Sequence, residues 1–341
     1  DAGVRVVMLT GDHAATADAI ARQAGLGDED APPILGGAPV EGADLQGVFD
    51  ATIFARVSPE TKLRLVSLYQ ERGDIVAMTG DGVNDAPALR KADIGIAMGE
   101  RGTEVAREAA AMVLKDDSFA SIVSAIREGR VIFNNIRRFV VYLLSCNVSE
   151  ILVVGLATLA GLPLPLLPLQ VLYLNLVTDV FPAFAVAMGE GPGDVMRSPP
   201  RDPARPILER RQWSDIAVLG ALITAATLGA FVAARLVLEL SPEQATTVSF
   251  ATIAFAQLWN VFNMRDRRET VLSNTITLNP YVWGALLVCI ILIAAPVYVT
   301  TIGDVLGLAR LGPEAFLLVA GASLAPLFLG QWYLGRRAAE E

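Results

Sequence analysis

From about residue 139 to its end, this 341-residue chain is a succession of six apolar blocks, near 139–162, 167–188, 216–238, 245–264, 282–302 and 315–334. Each is long enough for a helix to cross a bilayer, which takes about 20 residues. Hydrocarbon is a severe constraint on a backbone, because every N–H and C=O must then be satisfied within the protein. The expected fold for residues 131–341 is an all-α six-helix transmembrane bundle. Residues 1–130 carry most of the charge, and this shift in composition predicts two modules. With 53% hydrophobic residues and a mean hydropathy of +0.48, the chain is too apolar for one ordinary soluble domain.

Arginines set the orientation. Arg130, Arg137 and Arg138 precede the first block, and Arg197, Arg201, Arg205, Arg210 and Arg211 separate the second from the third. Arg265, Arg267 and Arg268 follow the fourth, and Arg336 and Arg337 the sixth. Across the alternate connections, 163–166, 239–244 and 303–314, the only basic residue is Arg310. The charged module and the C-terminus are therefore expected to be cytoplasmic. Lys62, Lys91 and Lys115 are the only lysines, a bias that hints at a GC-rich bacterial genome and hence a bacterial plasma membrane. A net charge of −9 argues against a nucleic-acid partner; membrane lipid, from the apolar blocks, and a transported cation are the expected partners. No signal peptide precedes the first strand, so the expectation is a chain that opens in mid-domain, as a fragment or processed piece.

Polar side chains inside the apolar blocks carry the most information. Asn147 and Glu150 are three apart in the first block, hence on one helix face, and Asn175, Thr178 and Asp179 form an i, i+3, i+4 cluster in the second. A carboxylate at membrane depth is costly, which points to a functional site. Pro182 has no N–H for the carbonyl of Thr178, so a backbone oxygen is expected free beside Asp179. Carboxylate, amide, hydroxyl and carbonyl oxygens together suit a hard cation such as Ca²⁺. The alternative leaves Glu150 and Asp179 in a water-filled vestibule, or protonated in helix–helix hydrogen bonds. Cys146 and Cys289 lie far apart with no CxxC or Cys/His cluster, and read as small hydrophobes.

The charged module alternates short apolar runs with helical patterns. Residues 4–9 read as a strand ending in Thr10-Gly11-Asp12, 14–24 as a helix stopped by Gly25, and 27–47 as an exposed connection. A strand over 53–57 leads to Ser58-Pro59-Glu60, a capped helix start. A buried strand over 74–78 runs into Thr79-Gly80-Asp81-Gly82-Val83-Asn84-Asp85-Ala86-Pro87, where another helix begins. Strands over 94–98 and 112–114, with a helix over 102–110 between them, complete at least five. Such alternation predicts a parallel, doubly wound sheet.

Asp81 and Asp85 then sit at the carboxyl end of a strand, where such sheets collect ligands. Gly80 and Gly82 would let backbone approach an anion, and carboxylates beside a phosphate need a cation such as Mg²⁺ between them. The plain alternative is a turn chosen for turn chemistry alone. Thr10-Gly11-Asp12 offers a hydroxyl and N–H groups that suit an anion. By itself, Lys62 reads as a solvated helix residue, and His13 as a helix-terminus residue and not a ligand.

The stretch TGDGVNDAP, taken with Thr10-Gly11-Asp12 and Lys62, resembles the phosphorylation domain of P-type cation-pumping ATPases. The downstream half resembles their calcium-pump branch, and the resemblance runs over essentially the whole chain. It implies the C-terminal part of an α/β haloacid-dehalogenase-like (Rossmann) phosphorylation domain, residues 1–130, followed by the last six spans of a ten-span pump. It also implies catalytic roles for Thr10, Gly11, Asp12, Lys62, Asp81, Asn84 and Asp85. Asp81 would hold Mg²⁺, close to Gly80, Gly82 and Asp85, and Lys62 of the "ARVSPETK" segment would reach a phosphorylated aspartate. Asn147, Glu150, Asn175, Thr178 and Asp179 match ligands of the transported Ca²⁺.

Gln257 stands where the reticulum-type calcium pump has a glutamate. It would be a weak, neutral ligand, which leaves open one or two ions per cycle. The family's nucleophilic aspartate lies in a DKTGT motif, and no such string occurs here. That motif and most of the ATP-binding part would lie upstream, so this chain alone is expected to be inactive. A pump for Mn²⁺, Na⁺ or H⁺, a membrane-anchored phosphatase and a non-catalytic remnant are the alternatives. Residues 117–162 are expected to form a helix-rich stalk.

Overall fold

The computed structural model describes residues 2–26, 34–36, 45–191, 193–266 and 269–339. The chain divides into two compact units, residues 1–127 with 197–200, and residues 128–196 with 201–341.

In the first unit, helices and strands alternate: β1 (Met8–Leu9), α1 (Ala14–Gln23), β2 (Ile34–Gly36), α2 (Leu45–Asp50), β3 (Ile53–Ala55) and α3 (Pro59–Glu71). Then follow β4 (Ala77–Gly80), α4 (Ala86–Lys91), β5 (Ile94–Met98), α5 (Glu104–Ala109) and β6 (Met112–Leu114). Every pairing is parallel, which requires a crossover between partners. Ser58 Oγ accepts the Thr61 N–H at 3.2 Å to start α3, His13 Nδ1 accepts the Ala15 N–H at 3.5 Å to start α1, and Gly25, at φ +71°, ends α1. Ala17 and Ala21 of α1 pack on Ile53 and Ala55, while Leu9 joins the clusters built on Val66 and Leu65 of α3.

In place of the single expected sheet, the described residues form two three-stranded sheets, ordered β1-β3-β2 and β4-β5-β6. In β1 only Met8 and Leu9 pair, opposite Ile53 and Phe54, and Val4 and Val6 of the expected strand are exposed. Similarly, β4 starts at Ala77 and not at residue 74. Gly73 takes φ +95° and the Asp74 N–H bonds to Tyr69 O at 3.0 Å, so the chain is still turning there, and Ile75 is exposed. The expected connection over 27–47 contains β2 and the start of α2, and its residues 27–33 and 37–44 lie outside the described residues, as do Arg267 and Arg268.

The second unit is helical. It takes in all but the first nine residues (119–127) of the 41-residue helix α6 (Phe119–Leu159), which is followed by α7 (Pro168–Leu174), a π-turn over Asn175–Asp179 and α8 (Val180–Ala187). Then come α9 (Arg210–Leu236), α10 (Pro242–Asn260), α11 (Pro280–Tyr298), α12 (Thr300–Leu306) and α13 (Pro313–Ala339). Among the described residues, five stretches are long and apolar enough to cross a membrane: Phe119–Leu159, Pro168–Ala187, Arg210–Leu236, Pro280–Val297 and Pro313–Arg337. Although α10 has 19 residues, it is less apolar than these, with Thr246, Thr247, Ser249, Thr252, Gln257 and Asn260 all buried. Its neighbours explain this, because Ala245 and Val248 pack between Phe231 of α9 and Val319 of α13. The block expected over 282–302 is split at Val299. Pro296 cannot donate to Leu292 O, and the Tyr173 hydroxyl fills that place at 2.7 Å.

One carboxylate ties the first unit together. Asp117 accepts the N–H groups of Gly99 (2.6 Å), Glu100 (3.0 Å) and Arg101 (2.9 Å), and the Arg101 guanidinium. Burial works against its ionisation, but those donors outweigh burial and hold the carboxyl below the usual range. A depressed folded-state pKa contributes stability above the unfolded value of about 3.9, and loses it as pH falls through the folded value. The melting temperature of Asp117→Ala should therefore lie below that of the parent between pH 7 and 5. That gap should close as the pH drops below about 4, which thermal unfolding followed by circular dichroism can check.

Candidate functional site

In the helical unit, side chains from α6, the α7–α8 segment and α10 meet around the π-turn. Glu150 on α6 is buried, 4% exposed, and its Oε1 accepts Gln257 Nε2 of α10 at 3.0 Å. With its amide turned to give both ends a partner, Asn175 donates to Glu150 Oε2 and Asp179 Oδ2, each at 3.2 Å. Asn147 Nδ2 lies 3.4 Å from Asp179 Oδ2 and 2.9 Å from Leu143 O. The Thr178 hydroxyl lies 2.8 Å from Gln257 Oε1 and 2.9 Å from Leu174 O, two acceptors that its one hydrogen serves in turn. All six intramembrane residues singled out from the sequence are therefore joined in one network.

Two features differ from expectation. Asn147 and Gln257 turn N–H groups toward the carboxylates, so each would swing by a half-turn to present its carbonyl to a cation, whereas Asn175 serves the carboxylates as a donor only in its turned orientation. The Thr178 carbonyl beside Pro182 is also taken, by the Tyr142 hydroxyl at 2.8 Å. Asp179 Oδ1, by contrast, is buried without a hydrogen-bond partner, an oxygen positioned for a ligand. Among the described residues no group of three or more His, Cys, Asp and Glu forms a metal centre, so the charge here comes from two carboxylates.

Sequence reasoning missed Tyr142, Cys289 and Asn260. Cys289 Sγ donates to Val177 O at 3.1 Å, and Asn260 Nδ2 to Ser145 Oγ at 2.9 Å. Asn260 could have been found, since it lies one helical turn beyond Gln257. Pro182 signals that a donor is needed but not which helix supplies it.

In the first unit, the turn after β4 builds a second cluster. Lys62 Nζ donates to Asp85 Oδ1 at 2.7 Å, with the side chains 19% and 10% exposed, and the Gly82 N–H donates to Asp85 Oδ2 at 3.2 Å. A charge-assisted bond this short and sheltered is a strong one. Asp81 and Asn84 stay exposed, while the Asp81 carbonyl accepts the Thr103 N–H at 2.8 Å. The Thr10-Gly11-Asp12 turn is built separately. Thr10 Oγ1 donates to Asp12 Oδ2 at 2.9 Å, the Thr10 N–H donates to Phe54 O, and the N–H groups of Val57 and Arg56 donate to Thr10 O and Asp12 O.

The glycines divide by geometry. A Cβ on Gly80 would stand 2.6 Å from Asp85 Cβ, whereas one on Gly82 would be 3.5 Å from Asp85 Oδ2. Gly80 therefore admits the Asp85 side chain, while Gly82, at φ −102°, has room for a methyl group. Gly80→Ala should displace Asp85 and cost about 1–3 kcal/mol. Gly82→Ala should stay within about 0.5 kcal/mol of the parent. Denaturant unfolding of both variants checks the contrast.

Known families match both units. The family described as haloacid dehalogenase-like hydrolase matches residues 1–93, and the family described as Cation transporting ATPase, C-terminus, matches residues 163–334. The chain is 45% identical over 336 residues to a calcium-transporting ATPase of Bacillus subtilis, covering 96% of this chain and 37% of that protein. It is 38% identical to calcium-transporting ATPase 1 of Bacillus cereus, over 97% of this chain and 39% of the relative. Calcium-transporting ATPase 1 of the yeast Yarrowia lipolytica is 42% identical over 79% of this chain and 29% of its own length. The chain thus spans less than two fifths of the relatives it matches. With a haloacid-dehalogenase-like α/β unit followed by a multi-pass helical membrane unit, it belongs to the P-type cation-transporting ATPases, as a C-terminal portion.

Proposed function

We propose that this chain is the C-terminal part of an ATP-driven pump that moves Ca²⁺ across a bacterial plasma membrane through an aspartyl-phosphate intermediate. The observation that carries this reading is the meeting of Glu150 and Asp179 with three amides and a hydroxyl, from three spans, inside an apolar bundle. Two carboxylates and uncharged oxygens suit a hard divalent cation, and the relatives named above are calcium-transporting. In this reading α10 is the fourth of six spans, and the arginine-rich connections and the C-terminus face the cytoplasm.

The cargo binds when Asn147, Asn175 and Gln257 rotate their carbonyl oxygens toward it, with Asp179 Oδ1 already in place. When the cargo leaves, the amide N–H groups return to the two carboxylates and satisfy their hydrogen bonding. Gln257 acts as a weak ligand, since its oxygen is held by Thr178. In the first unit Lys62 and Asp85 hold each other beside the phosphoryl site. Asp81, an exposed carboxylate at the end of β4, fits Mg²⁺ as an oxygen ligand, and the ion when bound would neutralise phosphate charge. Thr10, Gly11, Asp12 and Asn84 contribute hydroxyl, amide and N–H groups to the phosphate. We assign the coupling to α6, an unbroken helix that carries Asn147 and Glu150.

Phosphoenzyme formation on the full-length protein that carries this chain tests the reading. Labelled ATP and Mg²⁺ are supplied with Ca²⁺, Mn²⁺, Na⁺ or chelator alone. An acid-stable label that needs Ca²⁺ is expected, with Glu150→Gln and Asp179→Asn raising the half-saturating Ca²⁺ concentration more than about tenfold. A label that forms with another cation would keep the pump and change its cargo. No label under any condition would overturn the reading, and Asp85→Asn with normal phosphoenzyme turnover would overturn the role given to Lys62 and Asp85.

A further inference from the structure

Helix α11 contributes none of the expected cation ligands, yet it holds the segment that bears them. Pro182 has no N–H. Counting four residues back, as in an α-helix, leaves the Thr178 carbonyl without a donor, and counting five back, as in a π-turn, leaves that of Val177. A side chain waits at each: the Tyr142 hydroxyl of α6 on Thr178 O at 2.8 Å, and the Cys289 thiol of α11 on Val177 O at 3.1 Å. Cys289 and Val177 are 0% and 1% exposed, so water cannot substitute for the thiol.

The two helices support each other along their length. Tyr173 donates to Leu292 O at 2.7 Å, the carbonyl that Pro296 leaves unserved, and Asn279 Nδ2 donates to Ala185 O at 2.9 Å. The Cys289 contact falls between these two and directly on the π-turn. A π-turn carries one extra residue, which rotates the downstream side chains by about 100° relative to an α-helix. In that register the Asn175 amide, turned to give both its ends a partner, bridges Glu150 Oε2 and Asp179 Oδ2, each at 3.2 Å.

We propose that Cys289 is a positioning residue for the cation site: its thiol holds the π-turn that places Asp179 and Asn175 against Glu150, and so sets cation affinity. The inference rests on the role proposed above for Asp179. Valine at 289 would keep the volume and remove the donor, whereas serine would keep a donor.

The test measures Ca²⁺-dependent phosphoenzyme formation from ATP on the full-length protein. Cys289→Val should raise the half-saturating Ca²⁺ concentration about three- to tenfold with the maximal phosphoenzyme level unchanged. Cys289→Ser should stay within about twofold of the parent. In a Pro182→Ala background, where residue 182 supplies its own N–H, adding Cys289→Val should bring no further shift. If Cys289→Val fails to accumulate in the membrane, Cys289→Ala replaces it, with the same expectation. Equal shifts for Ser and Val, an unchanged Ca²⁺ dependence for Val, or additive effects with Pro182→Ala would overturn the role of the thiol while leaving the pump reading intact. A parent protein with no Ca²⁺-dependent label would overturn both.

Discussion

A backbone carbonyl that has lost its N–H inside an apolar bundle must find a donor from elsewhere, and the helical unit is arranged around that requirement at Pro182. Tyr142 and Cys289 reach the two carbonyls concerned from different helices. Beyond the proline the same need recurs where α8 ends. Asn135 Nδ2 of α6 donates to Ala187 O at 3.2 Å and Gly189 O at 2.6 Å, and Asn279 to Ala185 O. The second span is thus held by side chains along its length, and its irregular backbone is stable because its neighbours supply what it lacks. This frees Asn175, Thr178 and Asp179 to project toward one point.

The two clusters handle buried charge differently. Asp85 is answered by a full positive charge on Lys62, at the rim of an α/β unit where solvent moderates the cost of desolvation. Glu150 and Asp179 are answered by neutral amides. Amides satisfy hydrogen-bonding needs without neutralising charge, and each can turn to offer oxygen instead of N–H. A permanent cation in the same place would compete with any cargo. A site that must bind and release an ion is better served by groups that reverse their polarity through a single torsion.

Much of this was legible in the chain. The apolar blocks and the carboxylates at helical spacing point to the bundle and to the residues that meet in it. Periodicity and the caps at Ser58 and Gly25 placed helices α1 and α3, because those signals are local. The extent of β1 and β4 was not legible, since a strand ends where its partner ends, and apolar runs such as 4–7 carry no record of the missing partner. The π-turn was hidden for a related reason. Pro182 announces a vacant carbonyl, but the register depends on where Tyr142 and Cys289 lie in space. Gly80 and Gly82 look equivalent in the motif, and only the path of the Asp85 side chain separates them.

Helix α10 has a consequence for how such a chain enters a membrane at all. Its hydroxyls and amides are buried against α6, α9 and α13, so its sequence is suited to protein neighbours and poorly suited to lipid. Offered singly to the bilayer by the insertion machinery, it would gain little by partitioning, since burial of Gln257 and Asn260 is favourable only once Glu150 and Ser145 are there to receive them. The short link from Leu236 to Pro242, capped by Ser241, allows it to enter as a hairpin with α9. In the proposed reading the same residues would then serve insertion and ion chemistry: the polar face of α10 that completes the site is also the face that is satisfied only once its partners are in place.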